Sequence, residues 1–314
     1  MGIFACCDVK YTSKYENVRS IFTMEEPNGT INHLFPLTDN RFAVIISEKI
    51  VKVYRITPEE TTCEVSFNFE KKDLPSSATK VNSLCQTSNG NLIIIQAKYY
   101  QIVNIDPKNL KVLACQTPPF EISKVTALPN NRIACTLVKN ENIIIFNLQT
   151  ETEILQAAVL KGTKNIYRML IAGEFLFVYR EGETIEKWNL NTYQCDNTIQ
   201  LQNYNLINFF AYNDKLLYTS QKSTIVSIDT ETSKISDEKE YDKGEIKEMA
   251  LLDEQTIVFL TDKSSIMFYN KENNYFFEID ANKENKTKGK LITVSNKFFV
   301  VCDSSNTYKI WKNQ

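Results

Sequence analysis

The chain has 314 residues, 43% of them hydrophobic, and a formal net charge of −2 at pH 7. This composition is typical of a globular protein with a substantial core, and the small net charge argues against a nucleic-acid partner, which would require a strong positive field. No window contains the roughly 18 apolar residues of a membrane-spanning helix, and the N-terminus lacks the features of a secretory signal peptide. We therefore expect a protein that faces the cytosol.

The chain begins MGIFACC, a stretch with candidate lipidation sites at Gly2, Cys6 and Cys7. Removal of the initiator methionine would expose Gly2 for myristoylation, although the usual motif has Ser or Thr where this chain has Cys6. One myristoyl chain binds membranes only marginally, and palmitoylation of Cys6 or Cys7 would supply the second signal that stable anchoring needs. The alternatives are an unmodified tail, or a peptide in which Ile3 and Phe4 dock on a neighbouring subunit.

A repeated unit then runs along the chain, and its clearest part is a turn followed by a strongly apolar strand. The seven copies read LTDNRFAVII (37–46), QTSNGNLIII (86–95), ALPNNRIACTL (127–137), IAGEFLFVY (171–179), AYNDKLLYTS (211–220), LLDEQTIVFL (251–260) and TVSNKFFVVC (293–302). Asn, Asp and Gly between apolar runs indicate hairpins, because these residues tolerate positive φ. An alternating third strand follows each copy. The segment 151–160, ETEILQAAVL, could be a helical turn, but its place in the repeat predicts a strand.

The unit recurs every roughly 40–45 residues, which is typical of a four-stranded propeller blade. The seventh unit ends at its third strand and would leave a bare edge. The segment Val18–Met24, VRSIFTM, is a spare strand that could complete it. The sequence therefore predicts an all-β fold: a seven-bladed β-propeller of four-stranded antiparallel blades, closed by an N-terminal strand. Residues 1–17 would form a flexible tail and residues 18–314 a single domain.

This layout resembles the WD-repeat β-propeller family, with degenerate repeats. The Trp-Asp pair that ends the third strand in that family corresponds to Trp188-Asn189 and Trp311-Lys312 here. The family's Gly-His pair is absent, because His33 has no Gly before it, so the hydrogen-bond network built on that pair cannot form. The resemblance implies a rigid scaffold for other proteins.

The loop between the second and third strands of each unit carries a cation at a nearly equivalent place, except in the seventh. These candidates for a partner-binding basic face are Lys49, Lys98, Lys139, Arg180, Lys222 and Lys263. In a closed propeller such loops lie on one face around the channel, where clustered cations would attract an acidic or phosphorylated segment of another protein. The opposite face would be acidic. An ordinary charged surface without a binding role is the competing interpretation.

Metal and catalytic chemistry have little support in the sequence. His33 is the only histidine, and the eight cysteines include no C-x-x-C pair, so no zinc site is expected. No G-x-S-x-G motif and no glycine-rich phosphate-binding motif is present. We predict no cofactor, no metal and no enzymatic activity. A propeller hydrolase that uses carboxylates in the channel is the alternative from another class.

Taken as a sequence, the chain predicts a non-enzymatic interaction scaffold held at the cytosolic face of a membrane by N-terminal myristoyl and palmitoyl groups. Its partners would be other proteins and, through the lipid anchor, the membrane. The alternative is a propeller subunit of a cytoskeletal or ciliary assembly, with the N-terminal tail docked on a neighbour.

Overall fold

The computed structural model describes fourteen ranges of the chain. They are residues 19–27, 29–68, 80–96, 101–106, 111–116, 121–138, 141–148, 154–201, 208–213, 215–263, 265–279, 290–295, 297–302 and 307–312. Within these ranges, the side chains of residues 19, 101–106, 111–116 and 208 are not described.

The described residues form β-strands and no helix. The first fourteen strands are β1 (Arg19–Glu25), β2 (Ile31–Leu37), β3 (Arg41–Ile46), β4 (Ile50–Ile56), β5 (Thr61–Asn68), β6 (Val81–Gln86), β7 (Leu92–Gln96), β8 (Gln101–Asp106), β9 (Lys111–Gln116), β10 (Ile122–Leu128), β11 (Arg132–Leu137), β12 (Ile143–Asn147), β13 (Leu155–Leu160) and β14 (Ile166–Ala172). The remaining strands are β15 (Phe175–Arg180), β16 (Thr184–Asn189), β17 (Cys195–Gln200), β18 (Asn208–Ala211), β19 (Leu216–Gln221), β20 (Thr224–Asp229), β21 (Lys234–Glu240), β22 (Ile246–Asp253), β23 (Thr256–Thr261), β24 (Ile266–Asn270), β25 (Tyr275–Ile279), β26 (Lys290–Ser295), β27 (Phe298–Cys302) and β28 (Thr307–Lys312).

These strands pair into antiparallel sheets of four. Sheets 1 to 6 each take four consecutive strands, from β2–β5 through β22–β25. Sheet 7 combines β26, β27 and β28 with β1, which pairs with β28 along its outer side. The expected all-β fold of four-stranded antiparallel blades is confirmed, and the ambiguous segment at 151–160 supplies strand β13.

The first strand of each sheet lies innermost. These strands contact one another in the cyclic order β2, β6, β10, β14, β18, β22, β26 and back to β2. They therefore line a central channel, while the fourth strands lie at the periphery. This arrangement is a β-propeller.

The turns between first and second strands use the residues that the sequence indicated. Asp39 and Asn40 both have positive φ, at 59° and 54°, as do Asn130 and Asn131, at 60° and 51°. Two consecutive residues with positive φ suit the right-handed twist of an antiparallel pair.

The core lies between neighbouring sheets, and this explains why the second strands are apolar at almost every position. Strand β3 is buried along its whole length. Phe42, Val44 and Ile46 pack towards sheet 7, whereas Ala43 and Ile45 pack towards sheet 2. Burial on both faces of a sheet removes the polar alternation expected of a half-exposed strand.

A buried polar network joins sheets 1 and 7. Glu26 follows β1 and is only 1% exposed. Its carboxylate lies 2.6 Å from Nζ of Lys52 and accepts a hydrogen bond from Oη of Tyr54 at 2.5 Å, both in sheet 1. Oη of Tyr308 in sheet 7 approaches the same oxygen at 3.5 Å. Burial raises the pKa of Tyr54, and the hydrogen bond to Glu26 raises it further, so the phenol keeps its proton.

Candidate protein-interaction face

The turns between second and third strands lie on one face of the propeller, which we call the lysine face. In each sheet the first strand begins beside the end of the second strand, as Ile31 does opposite Ile46. The starts of the innermost strands, and thus one mouth of the channel, therefore open on the lysine face. The hairpins between first and second strands lie on the opposite face.

Three of the predicted cations are described on the lysine face. Lys222 and Lys263 are exposed and Lys49 is half-buried. They lie on sheets 5, 6 and 1 respectively, each in or beside the turn between the second and third strands. Lys98 and Lys139 lie outside the described residues.

Arg180 does not share this exposure, so its predicted place in a partner-binding surface is wrong. It is only 1% exposed. Its Nε lies 2.7 Å from Oε2 of Glu186, and its Nη1 donates to the backbone carbonyls of Glu141 at 2.6 Å and Lys164 at 2.8 Å. The cause is strand alternation, because Arg180 lies on the same side of β15 as Val178, which packs against sheet 3.

Carboxylates accompany the cations of these turns. Glu48 adjoins Lys49 and lies 2.6 Å from Nζ of Lys80. Asp262 adjoins Lys263 and accepts a hydrogen bond from the backbone N–H of Glu245 at 2.9 Å. The outer part of the lysine face is therefore of mixed charge, and its cations do not form an uninterrupted ring.

A second polar layer, which sequence reasoning missed, lines the channel just inside this face. We call it the channel collar. It consists of the innermost-strand residue that pairs with the next-to-last residue of the second strand in sheets 1 to 6, and with the last residue, Cys302, in sheet 7. Its members are His33, Ser83, Lys124, Arg168, Asn208, Glu248 and Lys290. The seven positions belong to seven different sheets and occupy one level of the channel.

A β-bulge prepares the collar position in five sheets. The register shifts immediately before His33, Ser83, Lys124, Arg168 and Glu248. A bulge bends its strand and re-aims the neighbouring side chain. The same bulge at the same level of five sheets therefore re-aims this layer in a regular way. Ser83 differs from the others in being buried, and its Oγ accepts a hydrogen bond from the backbone N–H of Val125 at 3.1 Å.

The charges of the collar act on one another. Burial raises the pKa of Glu248, while the nearby charges of Arg168 and Lys290 oppose that rise. Burial lowers the pKa of Lys124, and the positive charge of Arg168 lowers it further. Burial also lowers the pKa of Lys290. These side chains come from sheets 3, 4, 6 and 7, so the ring brings together charges from distant parts of the chain.

His33 belongs to the same electrostatic group. Burial lowers its pKa, and the charge of Lys290 adds to that effect. The pKa shift leaves His33 less readily protonated than a free histidine, so it adds a neutral polar group to the collar near pH 7.

A largely apolar layer lies below the collar, two residue pairs further along the innermost strands. It consists of Phe35, Cys85, Thr126, Leu170, Phe210, Ala250 and Ile292. Most of these side chains are partly buried and pack against the core clusters. The collar is thus a charged rim above an apolar channel wall, which focuses its field towards the lysine face.

The remaining predicted sites fall in different places. Gly2, Cys6 and Cys7 lie outside the described residues. Within the described part of the chain, no group of three or more His, Cys, Asp or Glu is arranged to hold a metal ion. In those same residues no helix is long and apolar enough to cross a membrane.

On the opposite face, the exposed side chains include Glu59, Glu60, Glu231 and Glu254. Between sheets 5 and 6 this face also has an open cleft of about 310 Å³. There Nζ of Lys271 lies 3.7 Å from the ring centre of Tyr212 and 5.3 Å from that of Tyr218. The ammonium group of Lys271 therefore already covers the tyrosine rings that line the cleft.

No family model matches the chain, and no curated protein matches it significantly. Among solved structures, it is similar to the crystal structure of the WD40 beta propeller domain of Doa1. The TM-score is 0.68 over 96% of this chain and 98% of that chain, at 12% sequence identity. At this identity the similarity shows the fold alone. The chain therefore has a WD40-like β-propeller fold, as its repeats predicted.

Proposed function

We propose that this protein is a non-enzymatic interaction scaffold whose lysine face binds an acidic or phosphorylated segment of another protein. The observation that carries the proposal is the convergence of Lys124, Arg168 and Lys290 in the channel collar, on the same face as the exposed Lys222 and Lys263. Cations at a channel mouth with apolar walls attract anions more strongly than the same cations on a flat surface.

A rigid frame supports this role, and we propose that the seven sheets close into a seven-bladed ring. The pairing of β1 with β28 and the contact between β26 and β2 support closure. Closure removes bare strand edges inside the ring and fixes the distances between loops of different sheets. Such a surface suits recognition of an extended segment, since little conformational entropy is lost by the scaffold on binding.

The binding role is tested with a library of acidic and phosphorylated peptides presented to purified protein. We expect retained peptides to bind about tenfold more weakly when Lys49, Lys222 and Lys263 are all replaced by Met. The matched control is Lys234→Met, which removes an exposed lysine near the opposite face. Equal binding by the triple variant and the wild-type protein would place the partner elsewhere.

We further propose that residues 1–17 tether the propeller to a membrane through myristoyl and palmitoyl groups on Gly2, Cys6 and Cys7. Strand β1 runs antiparallel to β28 and so begins at the opposite face, away from the lysine face. Seventeen extended residues span about 55 Å, enough to anchor the opposite face loosely while the lysine face points to the cytosol.

The tether is tested by intact mass and membrane partitioning of protein made in its own cells, beside a Gly2→Ala variant. We expect loss of Met1, a myristoyl mass, hydroxylamine-sensitive palmitate, and release of the variant from membranes. An unmodified N-terminus in soluble protein would reject the tether. The search would then turn to co-purifying subunits on which the tail docks.

A further inference from the structure

We infer that the channel collar is a binding site for one compact phosphate group, and that Glu248 acts there as an internal competitor for the same cations. The inference deepens the proposed function and rests on it in one respect: the phosphate would be carried by the bound protein segment. Free inorganic phosphate shares the relevant chemistry and serves as the probe.

The first argument is the composition of the collar. Its described side chains include three cations, Lys124, Arg168 and Lys290, and a single carboxylate, Glu248; Arg168 and Lys290 lie near that carboxylate, and Arg168 also lies near Lys124. Structural stability alone does not explain three like charges at one level of a channel, since like charges brought together repel. Burial lowers the pKa of Lys124 and of Lys290, and the nearby charge of Arg168 lowers that of Lys124 further. An incoming dianion would relieve that cost.

The second argument is that the ammonium group of Lys124 has N–H donors left for an anion. Nζ of Lys124 donates to the backbone carbonyl of Tyr167 at 3.1 Å. An ammonium group has three N–H donors, so this bond leaves capacity for an anion. Within the described residues, no ion pair closer than 4 Å involves Lys124, Lys290 or Glu248. These three side chains are therefore not held in direct ion pairs with one another.

The third argument concerns Glu248. Its carboxylate lies among the collar cations at the level where an anion would enter, yet burial raises its pKa despite Arg168 and Lys290. The cations therefore do not fully compensate this carboxylate for its loss of water. A phosphate monoester, with nearly two negative charges at neutral pH, would bind the same cations more strongly than one carboxylate does.

The channel wall limits the size of the ligand. The largely apolar layer that includes Phe35, Leu170 and Ile292 lies two residue pairs below the collar. Most side chains of this layer offer an anion no hydrogen bond, so we expect the anion to stay at the collar and its carrier to extend outward. A single phosphate on a flexible segment fits this arrangement.

The test measures binding of inorganic phosphate by calorimetry at pH 7.5 and constant ionic strength. We expect Lys124→Met and Lys290→Met each to weaken binding about tenfold, and Glu248→Gln to strengthen it about tenfold, as expected for gain or loss of one charge at close range. Lys234→Met is the control and should bind as the wild-type protein does. The expected gain in phosphate affinity of Glu248→Gln distinguishes a charge effect from misfolding, because a misfolded variant would not bind phosphate more tightly.

Absence of phosphate binding, or equal binding by all variants, would overturn the inference. A singly phosphorylated peptide and its unphosphorylated form, measured in parallel, distinguish the source of the phosphate. Collar-dependent binding of inorganic phosphate without retention of any peptide supports the site and rejects the proposed function. Retention of peptides that is unaffected by Lys124→Met and Glu248→Gln rejects the site and leaves the proposed function standing.

Discussion

Two glutamates on the lysine-face side of the molecule have opposite surroundings. Glu26, between sheets 1 and 7, is 1% exposed and contacts Lys52 and Tyr54 directly. Glu248, in the channel collar, is half-buried and has no described ion-pair partner within 4 Å. A glutamate side chain therefore has a structural role where direct partners satisfy its carboxylate, as at Glu26. It belongs to an accessible site where such partners are lacking, as at Glu248. Partner geometry, and not residue type, separates the two roles.

The largest expected effect is at Glu26. Glu26→Leu leaves the ammonium of Lys52 buried without its partner, so we expect the free energy of unfolding to fall by about 3–5 kcal/mol. Urea unfolding measures the change. The control Glu59→Gln, at an exposed glutamate, should change stability by less than about 0.5 kcal/mol. Adding Lys52→Met to Glu26→Leu should restore part of the loss, and a further loss would contradict the account.

Arg180 comes next, because it separates the structural from the binding interpretation of a predicted cation. Arg180→Met removes the buried ion pair with Glu186 and two bonds to backbone carbonyls, so we expect a loss of about 3 kcal/mol in unfolding free energy. Lys222→Met, at an exposed position, should cost less than about 0.5 kcal/mol. Equal stability of the two variants would show that Arg180 is not a structural cation.

The smallest effect is a pH dependence at Glu248. Its pKa is raised by burial, so the native state holds this proton at pH values where the unfolded chain has lost it. As pH rises through that interval, above the ordinary value of 4.5, the native state loses stability relative to the unfolded state. Glu248→Gln does not titrate. It should therefore be more stable than the wild-type protein at pH 7, and this advantage should disappear below pH 4.5. Urea unfolding at both pH values checks the sign, and an advantage at low pH only would contradict it.

The sequence predicted the strands and hairpins because their causes are local. The positive φ of Asp39 and Asn40 is a property of residues suited to that turn, and the apolar run 42–46 reflects burial on both faces of β3. The exception is Arg180: its position at the end of β15 was clear, but the side of the strand on which it lies depends on register with sheet 3.

The channel collar could not be predicted in the same way. His33 and Lys290 are separated by most of the chain, and only the cyclic arrangement of sheets brings them to one level. The bulges that re-aim Lys124, Arg168 and Glu248 shift each position by one residue, so a simple alternation pattern assigns them to the wrong face. A partial signal existed, since five collar residues are the third residue of their strand and five of the seven are charged or His.

We propose above that the channel collar holds the anionic group of a bound protein segment. The most direct measurement is the affinity of a retained singly phosphorylated peptide for the wild-type protein and for the double variant Lys124→Met with Lys290→Met. The account predicts a loss of about a hundredfold, from two charges removed at one site, while the unphosphorylated peptide binds both proteins equally weakly. Unchanged affinity for the phosphorylated peptide would contradict the claim.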